Sequence, residues 1–392
     1  MFRRMLAAGL ALSLVAGADP ALALPKPRAD QWWLATMGVQ EAWKRSTGRG
    51  VTIALIDSLP NLRLPEFKGA DLRRGRSFYL KKHNLPMTNQ IKSHGTGMLA
   101  AMTARGGGSG YVGVAPDVSV LVIPYSFTSN ERAPIRYAVD QGADIISMSF
   151  AGLGIVLNEP RCEVGLQEAI NYAAERDVVL VTSAGNNDSG RNMEVHPAMC
   201  PGVLTVAGLA RNLKPRKNAI KQNYVAVAAP SEDLVKLPYS GVPYRGDGGT
   251  STAAAFTSAA LALIRSAHPT ESARQIVSRL LYTAQDVHTE GRDDVTGYGL
   301  IRPDKALTTD VPPGFANTVY DRLDAFNKKE AAWKDARDNP PPFTVGGDPE
   351  DRKEITSDWE RYGPWLLGGL LLTLATAVSG LFLLRRKRRP QQ

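Results

Sequence analysis

The chain alternates short apolar runs with longer segments in which apolar residues recur every three or four positions. Runs of about four to eight residues rich in Val and Ile are typical of strands buried on both faces of a sheet. The longer pattern is typical of helices with one apolar face. The strand pattern occurs in VTIALI, SVLVIPY, ADIISMSF, DVVLVTSA, VLTVAGL and YVAVAAP, all between residues 51 and 265.

Helical patterns lie between several of these runs, for example in PIRYAVDQ and EVGLQEAINYAAERD. Alternation of strands and helices along a chain favours a parallel sheet with a helical layer on each side. The pattern therefore predicts an α/β fold built on a mostly parallel sheet with helices on both faces.

The first 23 residues have the features of a secretory signal peptide. Arg3 and Arg4 precede an apolar stretch that is shorter than the roughly 20 residues a membrane span needs. Small residues at Ala18 and Ala23 suit cleavage by a signal peptidase. We predict a signal peptide at residues 1–23, with an uncleaved anchor helix as the alternative.

A second apolar segment, residues 365–384, is long enough to cross a membrane. Its 20 residues carry no charge, and at about 1.5 Å per residue they match a hydrocarbon core of roughly 30 Å. The basic run RRKRR follows directly, and the aromatic-rich WERYGPW lies at the other edge. Because basic flanks stay in the cytoplasm, we predict a transmembrane helix at 363–384 and a cytoplasmic tail at 385–392. A buried helix of a soluble domain is the alternative.

Residues 309–362 differ in composition from the chain that precedes them. The segment opens with DVPPG and ends in NPPPFTVGGDPEDRKE, which is rich in proline and charge and typical of a semi-rigid linker. Between these ends, the spacing of Val319, Leu323 and Phe326 predicts a short amphipathic helix. We expect a tether that holds the preceding domain near the membrane.

The two ends explain most of the net charge of +9. Without Arg3, Arg4 and the basic residues 385–389, 40 basic side chains remain against 38 acidic ones. No groove that combines basic and aromatic residues stands out, so there is no case for nucleic-acid binding.

The first candidate catalytic residue is Ser251. In GGTSTAAAFTSAALALI, a glycine turn places this serine on the first turn of an alanine-rich helix. At a helix N-terminus, unpaired N–H groups and the helix dipole stabilise a developing negative charge. This position suits a nucleophilic serine. Serine is also a favoured N-cap, so a purely structural cap is the alternative.

Two upstream segments supply partners for such a serine. VTIALIDS ends its apolar run on Asp57, where open parallel sheets place functional groups. KSHGTGMLAAMTA places His94 at the start of a small-residue helix, and Gly95 and Gly97 permit close backbone approach. Asp57, His94 and Ser251 thus appear in one of the chain orders in which the Ser-His-Asp triad recurs.

In these motifs the chain resembles the subtilisin-like serine proteases over roughly residues 31–308. The resemblance implies a peptidase domain at 24–308, a subtilisin-like fold, protein or peptide substrates and no cofactor for the chemistry. No compact acidic loop stands out, so structural metals stay open. The motifs that carry the resemblance are ALIDS, SHGTGMLAAM, GVAPDVSVLVIPY, GADIISMSFAG, VVLVTSAGNN, HPAMCPGVLTVAGL and GGTSTAAA.

The same resemblance implies a role for individual residues. Ser251 is implied as the nucleophile, His94 as the general base and then acid, and Asp57 as the group that orients His94. The Asn186 side chain and the Ser251 backbone N–H are implied to form the oxyanion hole. An extended substrate is implied along the strand that ends near residues 149–152. The residues expected to bind substrate are Ser149, Phe150, Ala151, Gly152, Ala184 and Gly185.

The cysteines and the remaining histidines are expected to be structural. Cys162 and Cys200 are the two cysteines of the chain, and in an oxidising compartment they most simply form one disulfide. A nucleophilic cysteine is the alternative. The remaining histidines show no metal-ligand spacing, so we expect them to be non-catalytic. They are His83, His196, His268 and His288.

The order of signal peptide, subtilisin-like domain, charged tether and C-terminal span resembles the mycosins, membrane-anchored proteases associated with type VII secretion. PIRYAVDQGADIISMSF, GVLTVAGL and GYGLIRPDKALT support this narrower resemblance. It implies an endopeptidase that processes secreted proteins and has secretion-complex proteins as partners. A scaffold that stabilises a secretion complex, with catalysis secondary, is the alternative.

Overall fold

A computed structural model describes residues 24, 26–79, 88–126, 131–150, 152–153, 162–186, 192 and 194–338. The chain divides into two compact units, Met1–Lys328 and Lys329–Gln392. In the second unit the structure describes only residues 329–338, which are helical. The predicted signal peptide, transmembrane helix and tail all lie outside the described residues, as do Ala151 and His83.

The described strands are numbered in chain order. They are β1 (Thr52–Asp57), β2 (Leu72–Arg74), β3 (Ser119–Pro124), β4 (Ile145–Met148), β5 (Gly152–Leu153), β6 (Val179–Ser183), β7 (Val195–His196), β8 (Val203–Leu209), β9 (Val225–Pro230), β10 (Leu234–Lys236) and β11 (Tyr244–Gly246).

The described helices are numbered in the same way, and a 3-10 turn at Pro65–Phe67 lies between β1 and β2. The helices are α1 (Trp32–Thr36), α2 (Val39–Ala42), α3 (Asn89–Thr103), α4 (Arg132–Asp140), α5 (Val164–Ala174), α6 (Gly249–Ala267), α7 (Ala273–Tyr282), α8 (Pro303–Ala306) and α9 (Thr318–Asp338).

The first unit is built around a seven-stranded parallel sheet in the order β2, β3, β1, β4, β6, β8, β9. Side chains of β1 alternate between two hydrophobic clusters. Ile53 and Leu55 join the cluster that contains Phe256 of α6, whereas Ala54 and Ile56 join the cluster that contains residues of α4 and α5. The prediction of a parallel sheet with helices on both faces is therefore confirmed for the described residues.

The six apolar runs correspond to the sheet strands β1, β3, β4, β6, β8 and β9, and the two helical patterns correspond to α4 and α5. The pattern did not predict β2, because only Leu72 in its three residues is apolar. Two antiparallel pairs, β5 with β7 and β10 with β11, were also not predicted. Their strands have two or three residues, too short to show a periodic pattern.

The segment before β1 packs into the core beneath α6. The Trp33 side chain is fully buried, and its ring stacks on Phe256 of α6 with 5.8 Å between the ring centroids. The Gln31 side chain donates to the carbonyl of Val112 at 2.7 Å and accepts from the Val112 N–H at 3.0 Å. The N-terminal segment therefore helps to hold the helix that carries Ser251.

Cys162 and Cys200 form a disulfide that links the start of α5 to the turn before β8. Their Cα atoms are 4.9 Å apart and they are separated by 38 positions in the chain. On the chain-entropy model, closing a loop of this length stabilises the fold by roughly 3 to 4 kcal/mol. Nδ1 of His196 lies 3.7 Å from Sγ of Cys200, so this histidine packs against the disulfide.

Helix α9 is longer than the short helix that the spacing predicted. It has 21 residues, and Val319 and Leu323 in its first turns are buried. The first compact unit extends to Lys328, so it includes residues 309–328, which the composition had placed in the tether. Among the described helices, none has both the length and the apolar character needed to span a membrane.

The strand order changes direction at β1. After β1 the chain forms β2 and β3 on one side of it, then crosses to β4 on the other. In open α/β sheets such a change of direction leaves room for a ligand beyond the strand ends. Asp57 ends β1, Ser149 follows β4, and Asn186 lies three residues after the end of β6.

Candidate active site

Asp57 is a buried carboxylate at the end of β1. Its side chain is fully inaccessible, Oδ1 accepts a hydrogen bond from the Ser58 backbone N–H at 2.7 Å, and the Ser58 hydroxyl oxygen lies 3.2 Å from Oδ1. Oδ1 also lies 2.8 Å from Nδ1 of His94. A carboxylate in this position keeps the proton of the imidazole on Nδ1, which leaves Nε2 as the basic nitrogen.

His94 lies on α3, whose first turns are tied to the end of β1 by Ser58. The Ser58 hydroxyl accepts from the Gly95 N–H at 3.0 Å and donates to the carbonyl of Ile91 at 2.6 Å. The backbones of the two segments are also very close: a Cβ on Gly95 would lie 1.9 Å from the backbone oxygen of Ser58. Helix and strand approach so closely because residue 95 has no side chain.

Two opposing effects set the pKa of His94. Burial lowers it, whereas the charge of Asp57 and its hydrogen bond raise it by more, so the pKa lies above the ordinary histidine value. The positive charge of Lys236 lowers it slightly. The imidazole ring is still 32% exposed, so a substrate can reach it.

Ser251 lies inside the first turn of α6, and Gly248 is the N-cap. The structural-cap alternative is therefore wrong. The Ser251 hydroxyl donates to the carbonyl of Ser149 at 2.9 Å, and the Ser149 hydroxyl donates back to the carbonyl of Ser251 at 3.1 Å. These two bonds fasten the start of α6 to the segment that follows β4.

The side-chain amide of Asn186 faces the same helix start. Its Oδ1 accepts from the Thr250 N–H at 3.0 Å, from the Thr250 hydroxyl at 3.2 Å and from the guanidinium of Arg216. Gly249 has a φ of +64°, and a Cβ there would lie 2.9 Å from Oδ1 of Asn186. A glycine at 249 therefore gives the turn its left-handed backbone and leaves room for the amide.

The residues expected to bind substrate follow the neighbouring strands β4 and β6. Ser149 and Phe150 are buried, and the carbonyl of Phe150 accepts from the Thr182 hydroxyl at 3.1 Å. Gly152 begins β5, which pairs with β7. Ala184 is buried and Gly185, which precedes Asn186, has a φ of +96°. Ser149 in the first of these segments lies beside Ser251, because the two residues share two hydrogen bonds.

A cavity of about 360 Å³ opens beside His94. Its lining includes His94 and Thr252 but neither Ser149 nor Asn186. Lys236 stands at this cavity, where its ammonium donates to the carbonyl of Asp247 at 2.6 Å. The lining residues are Ser93, His94, Gly97, Met98, Tyr111, Val235, Lys236, Leu237, Pro238, Tyr244, Gly248 and Thr252.

The model of the Subtilase family matches residues 48–299. The chain belongs to the subtilase family. Mycosin-1 of Mycobacterium tuberculosis is 29% identical to it over 83% of this chain and 80% of that relative. Fervidolysin of Fervidobacterium pennivorans is 29% identical over 72% of this chain, which spans only 44% of the length of fervidolysin.

Solved structures of mycosins share the fold of this subtilase. MycP1 from Mycobacterium smegmatis has 28% identity and a TM-score of 0.61, covering 76% of this chain and 88% of that one. MycP1 without its N-terminal propeptide has 30% identity and the same TM-score, covering 72% and 98%. Together with the family match, these similarities identify this subtilase as a mycosin-type serine endopeptidase.

Several residues that hold the site of this subtilase together were not found from the sequence. Ser58 and Thr250 are adjacent in the chain to Asp57 and Ser251, and this adjacency is a signal that could have found them. Arg216 and Lys236 lie in segments with no motif, so only the fold brings them to the site. Among the other histidines, His268 contacts the carbonyl of Leu307 at 3.2 Å, and His288 is exposed in a loop.

Gly95→Ala is expected to destabilise the protein and to reduce peptide cleavage sharply. Its methyl group would meet the Ser58 backbone oxygen at 1.9 Å, which pushes α3 away from β1 and lengthens the Asp57–His94 contact. Overpacking of this kind typically costs about 1 to 3 kcal/mol. Denaturant unfolding and the rate of peptide cleavage measure the two effects.

The matched stability control is Gly97→Ala on the same helix. A Cβ there would lie 3.7 Å from the carbonyl oxygen of Leu237, an ordinary contact, and alanine favours a helix over glycine by about 1 kcal/mol. Its free energy of unfolding should be unchanged or higher. Wild-type stability and wild-type cleavage in Gly95→Ala would show that the close approach of α3 is not needed.

Proposed function

We propose that this subtilase is a membrane-anchored, extracytoplasmic endopeptidase that cleaves peptide bonds with Ser251, His94 and Asp57. The observation that supports this most strongly is the 2.8 Å contact between Nδ1 of His94 and the buried carboxylate of Asp57. A buried aspartate paired with a histidine that stays accessible to substrate is the arrangement a serine nucleophile needs.

The first half of the reaction forms an acyl-enzyme. The Ser251 hydroxyl turns from the carbonyl of Ser149 toward Nε2 of His94, and its oxygen attacks the peptide carbonyl carbon as His94 takes the proton. The C–N bond of the tetrahedral intermediate then breaks, and His94 gives that proton to the leaving amine. Asp57 keeps the imidazole in the required tautomer and stabilises the transient imidazolium.

In the second half, water enters the place of the amine and His94 removes one of its protons. The hydroxide oxygen bonds to the acyl carbon, the bond to Ser251 breaks, and the serine oxygen recovers its proton from His94. In both halves the Asn186 amide and the Ser251 N–H stabilise the oxyanion. One such donor is typically worth about 2.7 to 4 kcal/mol in the transition state.

The peptide substrate is proposed to lie extended along residues 149–152, opposite Ala184 and Gly185. In the free enzyme, hydrogen bonds from the Ser251 and Thr182 hydroxyls position the carbonyls of Ser149 and Phe150 at the start of this edge. The leaving-group side is proposed to lie over the cavity beside His94, because His94 protonates the amine and lines that cavity. Apolar lining by Met98, Tyr111 and Leu237 suits an apolar substrate side chain there.

Location and partners are inferred from the sequence and from relatives. The predicted signal peptide at 1–23 and the predicted span at 363–384 would place the peptidase unit outside the cytoplasm, close to the membrane. MycP1, a structural relative, is described as an essential component of a type VII (ESX-1) secretion system. We therefore propose that this subtilase processes secreted proteins and has secretion-complex proteins as partners.

Ser251→Ala is expected to lower kcat on the order of 10⁶-fold with little change in folding, because it removes the nucleophile and leaves the rest of the site intact. An internally quenched peptide reports cleavage, and thermal unfolding reports the fold. Ser266→Ala is the matched control, since it removes a hydroxyl from the far end of the same helix, and it should keep wild-type activity. Cleavage that survives Ser251→Ala would disprove the proposed nucleophile.

The same variant distinguishes the scaffold alternative in cells. Secretion that persists with Ser251→Ala while cleavage stops would establish a structural role beside catalysis. Secretion that stops with cleavage would tie export to proteolysis.

The pH dependence of kcat/KM should show an acid limb with an apparent pKa above the ordinary histidine value of about 6.5. His94 acts as a base only when neutral, and Asp57 raises its pKa, so activity is lost as pH falls through that raised value. Lys236→Met removes a charge that lowers this pKa and should move the limb to higher pH. Lys68→Met, which removes an exposed charge that does not act on His94, should not move it. A limb below pH 6.5 would contradict this account.

A further inference from the structure

An asparagine in an oxyanion hole works only if its amide is turned the right way. Oxygen and nitrogen of the side chain are nearly equal in size, so packing alone selects weakly between the two orientations. Turned with Oδ1 toward the substrate, the amide would repel the oxyanion. Some group must therefore hold Oδ1 away from the reaction centre.

In this chain three donors converge on Oδ1 of Asn186. Two come from Thr250, at 3.0 Å from its N–H and 3.2 Å from its hydroxyl. The third is the guanidinium of Arg216, which donates through Nη1. The Thr250 hydroxyl donates or accepts, so it tolerates either orientation, whereas the Thr250 N–H and the guanidinium only donate. Arg216 is therefore the side chain that, together with this backbone N–H, favours the orientation with Oδ1 toward the donors.

Contacts with neighbouring residues fix the position of Arg216. It follows β8 in the chain, its N–H donates to the carbonyl of Gly208 at 3.1 Å, and its side chain is only 13% exposed. Its Cδ would lie 3.2 Å from a Cβ on Gly208, so its stem packs on a glycine. Oε1 of Glu232 lies 3.5 Å from Nε, and its opposite charge helps to fix the guanidinium in place.

We propose that Arg216 is a positioning residue of the oxyanion hole, acting through the side chain of Asn186. This inference rests on the proposed function, in which Asn186 is an oxyanion donor. By donating to Oδ1, Arg216 directs Nδ2 to the reaction centre and polarises the amide, which makes its N–H groups stronger donors.

A double-mutant cycle on the full-length chain tests the proposal with an internally quenched peptide. Arg216→Met keeps the apolar stem and removes the donor and the charge. It is expected to lower kcat about tenfold or more, up to the 10²- to 10³-fold loss typical of a missing oxyanion donor, with KM changed less than about twofold. In an Asn186→Gly background the same change should have almost no further effect, because the amide on which Arg216 acts is gone.

The control is Arg211→Met, which removes an exposed arginine from the same loop, where it pairs with Asp233 at 2.9 Å. It should leave kcat unchanged in both backgrounds. If Arg216→Met does not fold, the cycle is run with Arg216→Lys, which keeps a charge and a donor. A smaller loss of kcat that again disappears without the Asn186 amide is then expected.

Equal losses from the Arg216 change with and without Asn186 would overturn the proposal, since a merely structural arginine acts regardless of the amide. Wild-type kcat in folded Arg216→Met would overturn it as well. If Asn186→Gly alone keeps wild-type kcat, the oxyanion assignment in the proposed function fails instead, and the positioning role fails with it. The single Asn186 variant thus separates the two failures.

Discussion

The contact between Asp57 and His94 depends on how closely α3 packs against the end of β1. Only a glycine at 95 permits this approach, because any side chain there would meet the backbone of Ser58. The Ser58 hydroxyl then joins the strand end to the first turns of the helix through hydrogen bonds to Gly95 and Ile91. With the two backbones held in this way, Nδ1 of His94 lies 2.8 Å from Oδ1 of Asp57, whose side chain is fully buried. The raised pKa of His94 follows from this contact.

The architecture could be predicted well from the apolar pattern because each central strand is buried on both faces. Alternate residues of a run such as VTIALI pack into two different hydrophobic clusters, so the run is apolar along its length and can be recognised without knowing the rest of the fold. The short strands β5, β7, β10 and β11 could not be predicted in this way. Each has only two or three residues, and their pairing depends on where longer segments bring them.

The candidate site was predictable where chemistry and chain position coincide. Asp57 at a strand end and Ser251 at a helix start are visible in the sequence, although the N-cap is Gly248 rather than Ser251. Arg216 was not predictable, because its contact with Asn186 is 30 positions away in the chain and belongs to no motif. The polar groups that orient a site come from any loop that the fold brings close to it. Sequence motifs therefore do not reveal them.

The central claim is that Ser251 is an activated nucleophile, and covalent labelling tests it most directly. A fluorophosphonate reacts with the folded full-length chain only at a serine that has a working base and oxyanion hole. Mass spectrometry of the digested adduct should then place the phosphonyl group on Ser251, and unfolding the protein first should abolish labelling. Folded protein that carries no adduct on Ser251 would contradict the account.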